Sequence, residues 1–517
     1  MTLASAQTPL INKEFIMRYL ALLGWLLISL NVMAEEPKKA AKGDEKDLPV
    51  PELQSFVTKH KGTFNNKSIS YTTTVSNMHL LNDKGEVIAD AVTTAYVAES
   101  KNDRPVTFVF NGGPGSASIW LHMGILGPKL VSVPSDAQDA GNGPYELVNN
   151  PYSPLDKTDL VFIDPIGTGF SQLAGKGSAK DVWGLSEDAE SVSQIVKLWL
   201  SQNKRWNSAK YLAGESFGTT RAAAMMPYLN DRKTPMRING LMLISQALDY
   251  TGSTPTEDNM VAFVTYLPTL AATAWYHHKI EQTSISLENL MTEVKAFAVD
   301  EYLPALFKGS TLSEQQFNHI AHKLAYFTGL SVDIIKRANL RVTATRHAKL
   351  LLADQGLAVG RLDSRYSSDE IDDLALTPRY DAASAAISAA YTAGLNHYLH
   401  HDLNVSWQRD YVVSSSAVNK GWVWDRGLEK GKEPKYVNTA PDLALEMRKN
   451  PAMKVLLASG YYDYSTPFFD GEYTFARHGI ELSRVTQTYY AAGHMMYIHQ
   501  PSLKKLAADI HQFIESK

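Results

Sequence analysis

Lys210-Tyr211-Leu212-Ala213 is a short apolar strand that runs straight into Gly214-Glu215-Ser216-Phe217-Gly218. A helix-forming stretch, Thr219 to Tyr228, follows at once. Strand, Gly-x-Ser-x-Gly, helix is a nucleophile elbow, a sharp turn that lifts a serine oxygen above the edge of a sheet. The glycines are required because side chains there would collide with the neighbouring strand and helix. The elbow predicts a βα-type chain with Ser216 as nucleophile. A plain tight turn with a surface serine is the competing reading, and the blocks around the elbow weigh against it.

Pro105 to Phe110 is a short, β-branched and apolar run, a buried strand, and it ends in Asn111-Gly112-Gly113-Pro114-Gly115. A glycine-rich loop after this strand brings backbone N–H groups close to a developing oxyanion. A phosphate loop would need Gly-Lys-Ser/Thr, which does not follow. Far downstream, the strand Met453–Ala458 leads to Asp463, and the strand Val485–Tyr490 leads to His494. Ser216, Asp463, His494 is the chain order of the α/β-hydrolase triad. His494 would take the proton of Ser216, and Asp463 would orient the imidazole. Asp470 and His499 are the nearby alternatives. The expected fold is α/β, a mostly parallel central sheet flanked by helices.

Four blocks carry a family resemblance. They are Phe110-Asn111-Gly112-Gly113-Pro114-Gly115-Ser116, Phe162-Ile163-Asp164-Pro165-Ile166-Gly167-Thr168-Gly169-Phe170-Ser171, the Gly-Glu-Ser elbow, and Gly493-His494-Met495. In order and spacing, from about residue 105 to 500, the chain resembles the serine carboxypeptidases. The resemblance implies removal of single residues from the free C-terminus of peptides. It implies that the Gly113 and Phe217 amides form the oxyanion hole. It also implies that Asn111 (with Gly112 beside it) and Glu215 hold the substrate's terminal carboxylate, and that Met495 lies near the leaving-group pocket. An ionised Glu215 would repel that carboxylate by several kcal/mol at reduced dielectric, so the site needs Glu215 protonated by burial or by a like-charged neighbour. Activity is therefore expected to be favoured at acidic pH. Three positions depart from the family. Ile125 stands where a second glutamate is usual, Val109 where a tryptophan is, and Ser116 where a disulfide cysteine often is.

Composition narrows the setting. The 517 residues exceed a small domain, and a formal charge of −4 spread over both signs leaves no footprint for nucleic acid. Lys13 and Arg18 precede an apolar stretch, Tyr19 to Met33, closed by Val32-Met33-Ala34. This reads as an export signal over 1–34 with cleavage after Ala34 and no stable membrane association afterwards; Met17 is an alternative start. The chain has no cysteine, hence no disulfide and no thiol nucleophile. With the signal, that points to a bacterial periplasmic or secreted protein. No metal or organic cofactor is expected.

Residues 35–50 read as a charged, disordered linker. Residues 51–250 read as the first part of the hydrolase core, with a hairpin signal at Asn82-Asp83-Lys84-Gly85. Residues 251–400 look helical, with a capping box at Ser313 and Gln316 and a stop at Gly329, and would form a cap inserted before the second core part, 401–517. His397, His400 and His401 share a helix face but lack a metal signature. Arg361, Asp363 and Arg365 are expected in a solvated loop of the cap. The expected activity is that of a serine-type carboxypeptidase acting on peptides. An esterase or acyltransferase on the same triad is the alternative, favoured by Ile125, and a silent peptide-binding protein is the third reading.

Overall fold

The computed structural model describes residues 47–100, 103–426 and 436–516. The expected export signal and nearly all of the expected linker lie outside the described residues. Nine strands build the main sheet: β1 (Ser55–Phe64), β2 (Lys67–Leu81), β3 (Val87–Ala98), β4 (Val106–Phe110), β5 (Asp159–Asp164), β6 (Lys210–Glu215), β7 (Gly240–Ile244), β8 (Lys454–Gly460) and β9 (Val485–Tyr490). Their order across the sheet is β1-β2-β3-β5-β4-β6-β7-β8-β9, and a two-residue strand, Gln172–Leu173, adds to β3. The first three strands pair antiparallel, as does β3 with β5. From β5 onward every neighbour is parallel. The parallel strands β4, β5, β6 and β7 are buried along their whole length, as expected of strands covered on both faces.

The strand β1 was not foreseen. Its residues alternate between exposed and half-buried, and it joins β2 through Asn65-Asn66, both at positive φ (45° and 61°). That is the two-residue hairpin geometry that asparagine tolerates. Leu48, expected in the linker, instead exchanges both backbone bonds with Gly175 (2.8 and 3.1 Å), so the core takes in residues before 51. The pattern of Leu185, Val192, Ile195, Val196 and Leu200 forms the buried side of α1 (Leu185–Gln202), set off from a short turn of helix at Ala179–Val182 by Trp183 and Gly184. The elbow helix is α2 (Phe217–Ala224).

Residues 251–400 divide between two apolar clusters. One gathers α3 (Met260–Tyr276) with the helices that follow, through Leu352 and Val359, and takes in Tyr462, Tyr464 and Phe468 from beyond β8. The capping box at Ser313 and Gln316 forms within it, and Gly329 ends that helix at φ 68°. The other cluster lies on one face of the sheet and takes in α4 (Ala382–His397) through Ala383, Ile387, Tyr391 and Leu395.

A buried ion pair joins the elbow to its surroundings. Arg221 on α2 is fully buried and donates to Asp188 on α1 through Nε (2.6 Å) and Nη2 (3.2 Å). Its Nη1 donates to the carbonyl of Asn111 at 2.5 Å. Removing one partner of such a pair strands the other charge in the interior. Arg221→Met is expected to lower stability by about 3–5 kcal/mol, and adding Asp188→Asn should recover part of that loss. Urea denaturation of the single and double variants checks both statements.

Candidate active site

Ser216 sits where β6 turns into α2, at φ 59° and ψ −129°. A non-glycine residue there is strained, and the surroundings must hold it. The Ser216 amide donates to the carbonyl of Ile244 at the end of β7 (3.0 Å), and Thr219 Oγ1 donates to the Ser216 carbonyl at 2.7 Å. The loop after β4 presses directly against this turn. A Cβ on Gly112 would lie 2.5 Å from the Phe217 nitrogen and 2.7 Å from the Glu215 carbonyl, so only glycine fits.

The acid and the base meet above β7 and β8. His494 Nδ1 lies 2.7 Å from Asp463 Oδ2. Asp463 is fully buried and accepts from the Ser465 amide (2.7 Å), the Thr466 amide (3.0 Å) and Thr466 Oγ1 (2.6 Å). These bonds leave Asp463 one role toward His494, holding the ring with Nε2 free to face the serine. Burial pulls the His494 imidazole down, but the Asp463 charge and hydrogen bond outweigh it and hold the group above its ordinary value. The His494 carbonyl accepts from Ser245 Oγ at 2.6 Å, and Ser245 follows Ile244, which anchors Ser216. Nucleophile and base are thus fixed to adjacent residues of one strand end.

The other candidates do not join this group. Asp470 lies on the helix Phe468–Arg477 and accepts from Gln246 Nε2 at 3.3 Å. His499 Nδ1 lies 2.8 Å from Ser502 Oγ. His397 and His401 stack on each other, His400 Nδ1 faces the Val405 carbonyl, and no metal-holding cluster of three such side chains occurs among the described residues.

The Phe217 amide belongs to the first residue of α2 and has no acceptor within that helix. With Gly113 (φ 107°) on the facing loop, it provides backbone N–H groups at a positive helix end, the arrangement an oxyanion needs.

Glu215, the last residue of β6, is buried beside the nucleophile. Tyr497 donates to its Oε2 at 2.7 Å, and the Asn111 side chain also bonds to it. The Asn111 oxygen accepts from the Leu121 amide at 3.1 Å, which orients its NH2 outward. Burial pushes the Glu215 carboxyl up to about 7, against the opposing pull of His494, Tyr497 and Asn111. Ile125 is fully buried in the apolar cluster, so no second carboxyl stands at that point. Two tyrosines come near instead. A Cβ on Gly124 would run into the Tyr497 ring and lie 3.0 Å from the Tyr391 hydroxyl. Met495 is buried in the same cluster. Sequence reasoning missed Tyr497. The only signal was an aromatic residue three positions beyond the histidine, which is not distinctive by itself.

The charged stretch Arg361 to Arg365 is not a solvated loop. Asp363 and Arg365 are buried and paired at 2.6 Å. Asp363 Oδ2 accepts from the Gly493 amide (3.1 Å), and the Leu362 carbonyl accepts from the His494 amide (2.6 Å). Only Arg361 is exposed. The pair is buried because the loop wedges between the acid and base loops, and a Cβ on Gly493 would collide with Asp363.

The comparisons agree with this geometry. A profile of the serine carboxypeptidase family matches residues 94–502. Serine-type carboxypeptidase F of Aspergillus niger is 28% identical over 177 residues, 32% of this chain and 30% of that protein. Serine carboxypeptidase-like 36 of Arabidopsis thaliana is 28% identical over 153 residues, 29% of each. The matched segments thus span about a third or less of these curated relatives. Among solved structures, a prohormone-processing carboxypeptidase of Saccharomyces cerevisiae superposes with a TM-score of 0.52 at 14% identity, covering 86% of this chain and 91% of that one, a likeness of fold. With the family profile spanning most of its length, the chain belongs to the serine carboxypeptidase family.

Proposed function

We propose that the protein is a serine-type carboxypeptidase that removes the last residue from peptides with a free C-terminus. Ser216 attacks the last peptide carbonyl while His494 takes its proton, and an acyl-enzyme forms on Ser216. The Gly113 and Phe217 amides stabilise the oxyanion. His494, held charged by Asp463, then protonates the departing amino acid, and water releases the shortened peptide. These steps need no metal or organic group.

The observation that carries the exopeptidase reading is the buried Glu215 carboxyl beside the nucleophile, with Asn111 and Tyr497 on it. Protonated, Glu215 donates to a substrate carboxylate, and Asn111 donates alongside it. Ionised, it repels the same group. Since Glu215 is pushed up to about 7, the protonated form prevails below that pH and is lost above it. The neutral acid also withdraws a negative charge that favours protonated His494, so His494 stays a usable base further into the acid range. Action outside the cytoplasm of a bacterium, in the periplasm or the medium, is part of the proposal. The basic, apolar and small-residue run of residues 1–34 and the absence of cysteine support it. An esterase or acyltransferase is the second reading, favoured by the apolar burial of Ile125.

An N-blocked peptide offered as free acid and as C-terminal amide separates the readings, with Ser216→Ala as control and mass loss as readout. Below pH 7 the acid should be cut about 10- to 100-fold faster than the amide, the worth of charge-assisted bonds to the carboxylate. The advantage should fall as pH rises through about 7. Equal cutting of both forms, or cutting of esters alone, would overturn the exopeptidase reading.

Tyr497→Phe tests the clamp. Removing a donor to Glu215 disfavours its ionised form, so the alkaline limb of kcat/KM for the free acid should move up by roughly half to one pH unit. A limb that stays put, or moves down, would detach Tyr497 from the titration.

A further inference from the structure

A cavity of about 590 Å³ opens where the helical region meets the loop after β8. Tyr266, Tyr380, Asp381, Arg361, Tyr464 and Ser465 are among its walls. Ser465 and Tyr464 directly follow Asp463, and the Tyr464 amide donates to the Arg361 carbonyl at 3.0 Å. The next residue, Leu362, supplies the carbonyl that holds the His494 amide at 2.6 Å. The cavity therefore lies beside the acid and base end of the triad, and the Arg361 charge is felt at His494.

Arg361 and Asp381 are the charged groups in its walls, and they are not equivalent. The carboxylate of Asp381 is occupied with backbone: Oδ2 accepts from Leu362 (2.8 Å), and Oδ1 accepts from Ala383 (2.9 Å) and Ser384 (3.1 Å) at the start of α4. Arg361 is exposed, donates through Nη1 to a neutral partner, Ser465 Oγ (2.8 Å), and has no ion pair with a carboxylate among the described residues. A guanidinium carries five donors and matches a carboxylate in two-point fashion. The wall thus presents a guanidinium with unused donors and several hydroxyls, while the Asp381 carboxylate in the same wall has its oxygens taken up by backbone amides.

Strand order fixes which part of a substrate reaches it. The carboxylate clamp comes from the ends of β4 and β6, whereas Ser465 lies beyond the end of β8. Along the strand order, Asn111 lies on the β4 side of the nucleophile, Glu215 on the nucleophile's own strand, and Ser465 on the β8 side. A peptide whose last residue is held at Asn111 and Glu215 directs its upstream residues toward the β8 side.

We propose that this cavity is a subsite for an acidic side chain on the acyl side of the scissile bond, with Arg361 as the residue that selects it. The proposal rests on the carboxypeptidase reading for the direction of the substrate. Acidic peptides would thus be preferred over neutral ones of the same shape.

The test compares N-blocked peptides that end in leucine and carry Glu or Gln at the penultimate position or the one before it. The Glu/Gln ratio of kcat/KM within each enzyme is the readout, because general damage cancels from it. The unmodified protein should give a ratio of about 5 to 10 at one of the two positions, a partly exposed but bidentate pair. High salt should reduce it. Arg361→Gln should bring it to about one, and Arg361→Lys should keep part of it, since charge but not shape survives. A ratio near one in the unmodified protein, or a ratio unchanged in Arg361→Gln, overturns the proposal. If no peptide is cut, the carboxypeptidase reading has failed. The same comparison is then made with glutaryl and glutaramyl esters, whose acyl groups reach the cavity from Ser216 without the clamp. A charge preference there that Arg361→Gln removes upholds the subsite, and its absence ends it.

Discussion

The guanidinium of Arg221 is the constraint on which the site depends. It is fully buried, bonded twice to Asp188 and once to the Asn111 carbonyl, and it lies 5.5 and 5.3 Å from the ring centres of Phe110 and Phe217. Its partners belong to different parts of the chain: a flanking helix, the loop after β4 and the elbow helix. A buried ion pair of this kind adds little net stability compared with apolar packing, yet it tolerates few alternative arrangements. Here that intolerance sets the distance between the oxyanion loop and the elbow. It also fixes Asn111 from behind through its carbonyl, leaving the side chain to face Glu215. Moving α2 would therefore disturb the oxyanion amides and the clamp together.

The acid of the triad is held from the other side, by the helical region. Asp463 lies between Tyr462 and Tyr464, and both rings belong to the apolar cluster of that region. The Tyr464 hydroxyl lies 2.6 Å from His347 Nδ1, and Tyr266 donates to the Tyr464 carbonyl at 3.1 Å. On the opposite flank, the Ser364 amide donates to Tyr462 and the Tyr462 amide to Ala492. Packing in this apolar cluster positions the Asp463 carboxylate, so loosening it would reach the Asp463–His494 contact without touching Ser216.

Legibility in the sequence followed the chemistry. The places of Ser216, Asp463 and His494 after strand ends were readable because each follows a short apolar strand, and the elbow needs glycine at set places. The parallel strands were readable because burial on both faces demands continuous apolar runs. β1 was not, since Ser55 to Phe64 carries little apolar signal and only Asn65-Asn66 marks its turn. Asp188 and Arg221 are 33 residues apart, and nothing local says that two charged residues will meet in the interior. Asp363 and Arg365 misled for the same reason: a charged tripeptide normally stays in water, and only its place between the acid and base loops buries it. Tyr497 escaped because a tyrosine's partner is invisible until the chain after β9 folds back over Gly124.

With Ile125 apolar and Tyr497 as its hydrogen-bond partner, Glu215 is held toward its neutral form by burial. Two carboxyls that share a site hold one proton between them, because the first charge opposes the second. Glu215 has no such neighbour at Ile125, and burial is the leading cause of its rise to about 7. The Tyr497 hydroxyl works against that rise, since it donates to the carboxylate form. It can also accept the proton of a neutral Glu215, so it serves both states with different strength. The balance is therefore set mainly by desolvation, with the Asp463 charge adding to the rise and the His494 charge and the Tyr497 and Asn111 hydrogen bonds opposing it. Desolvation is strongest when the pocket is filled. In the proposed reaction, a substrate that excludes water while placing its own carboxylate beside Glu215 adds to the like charge of Asp463, and it reinforces the protonated form on which its binding would depend.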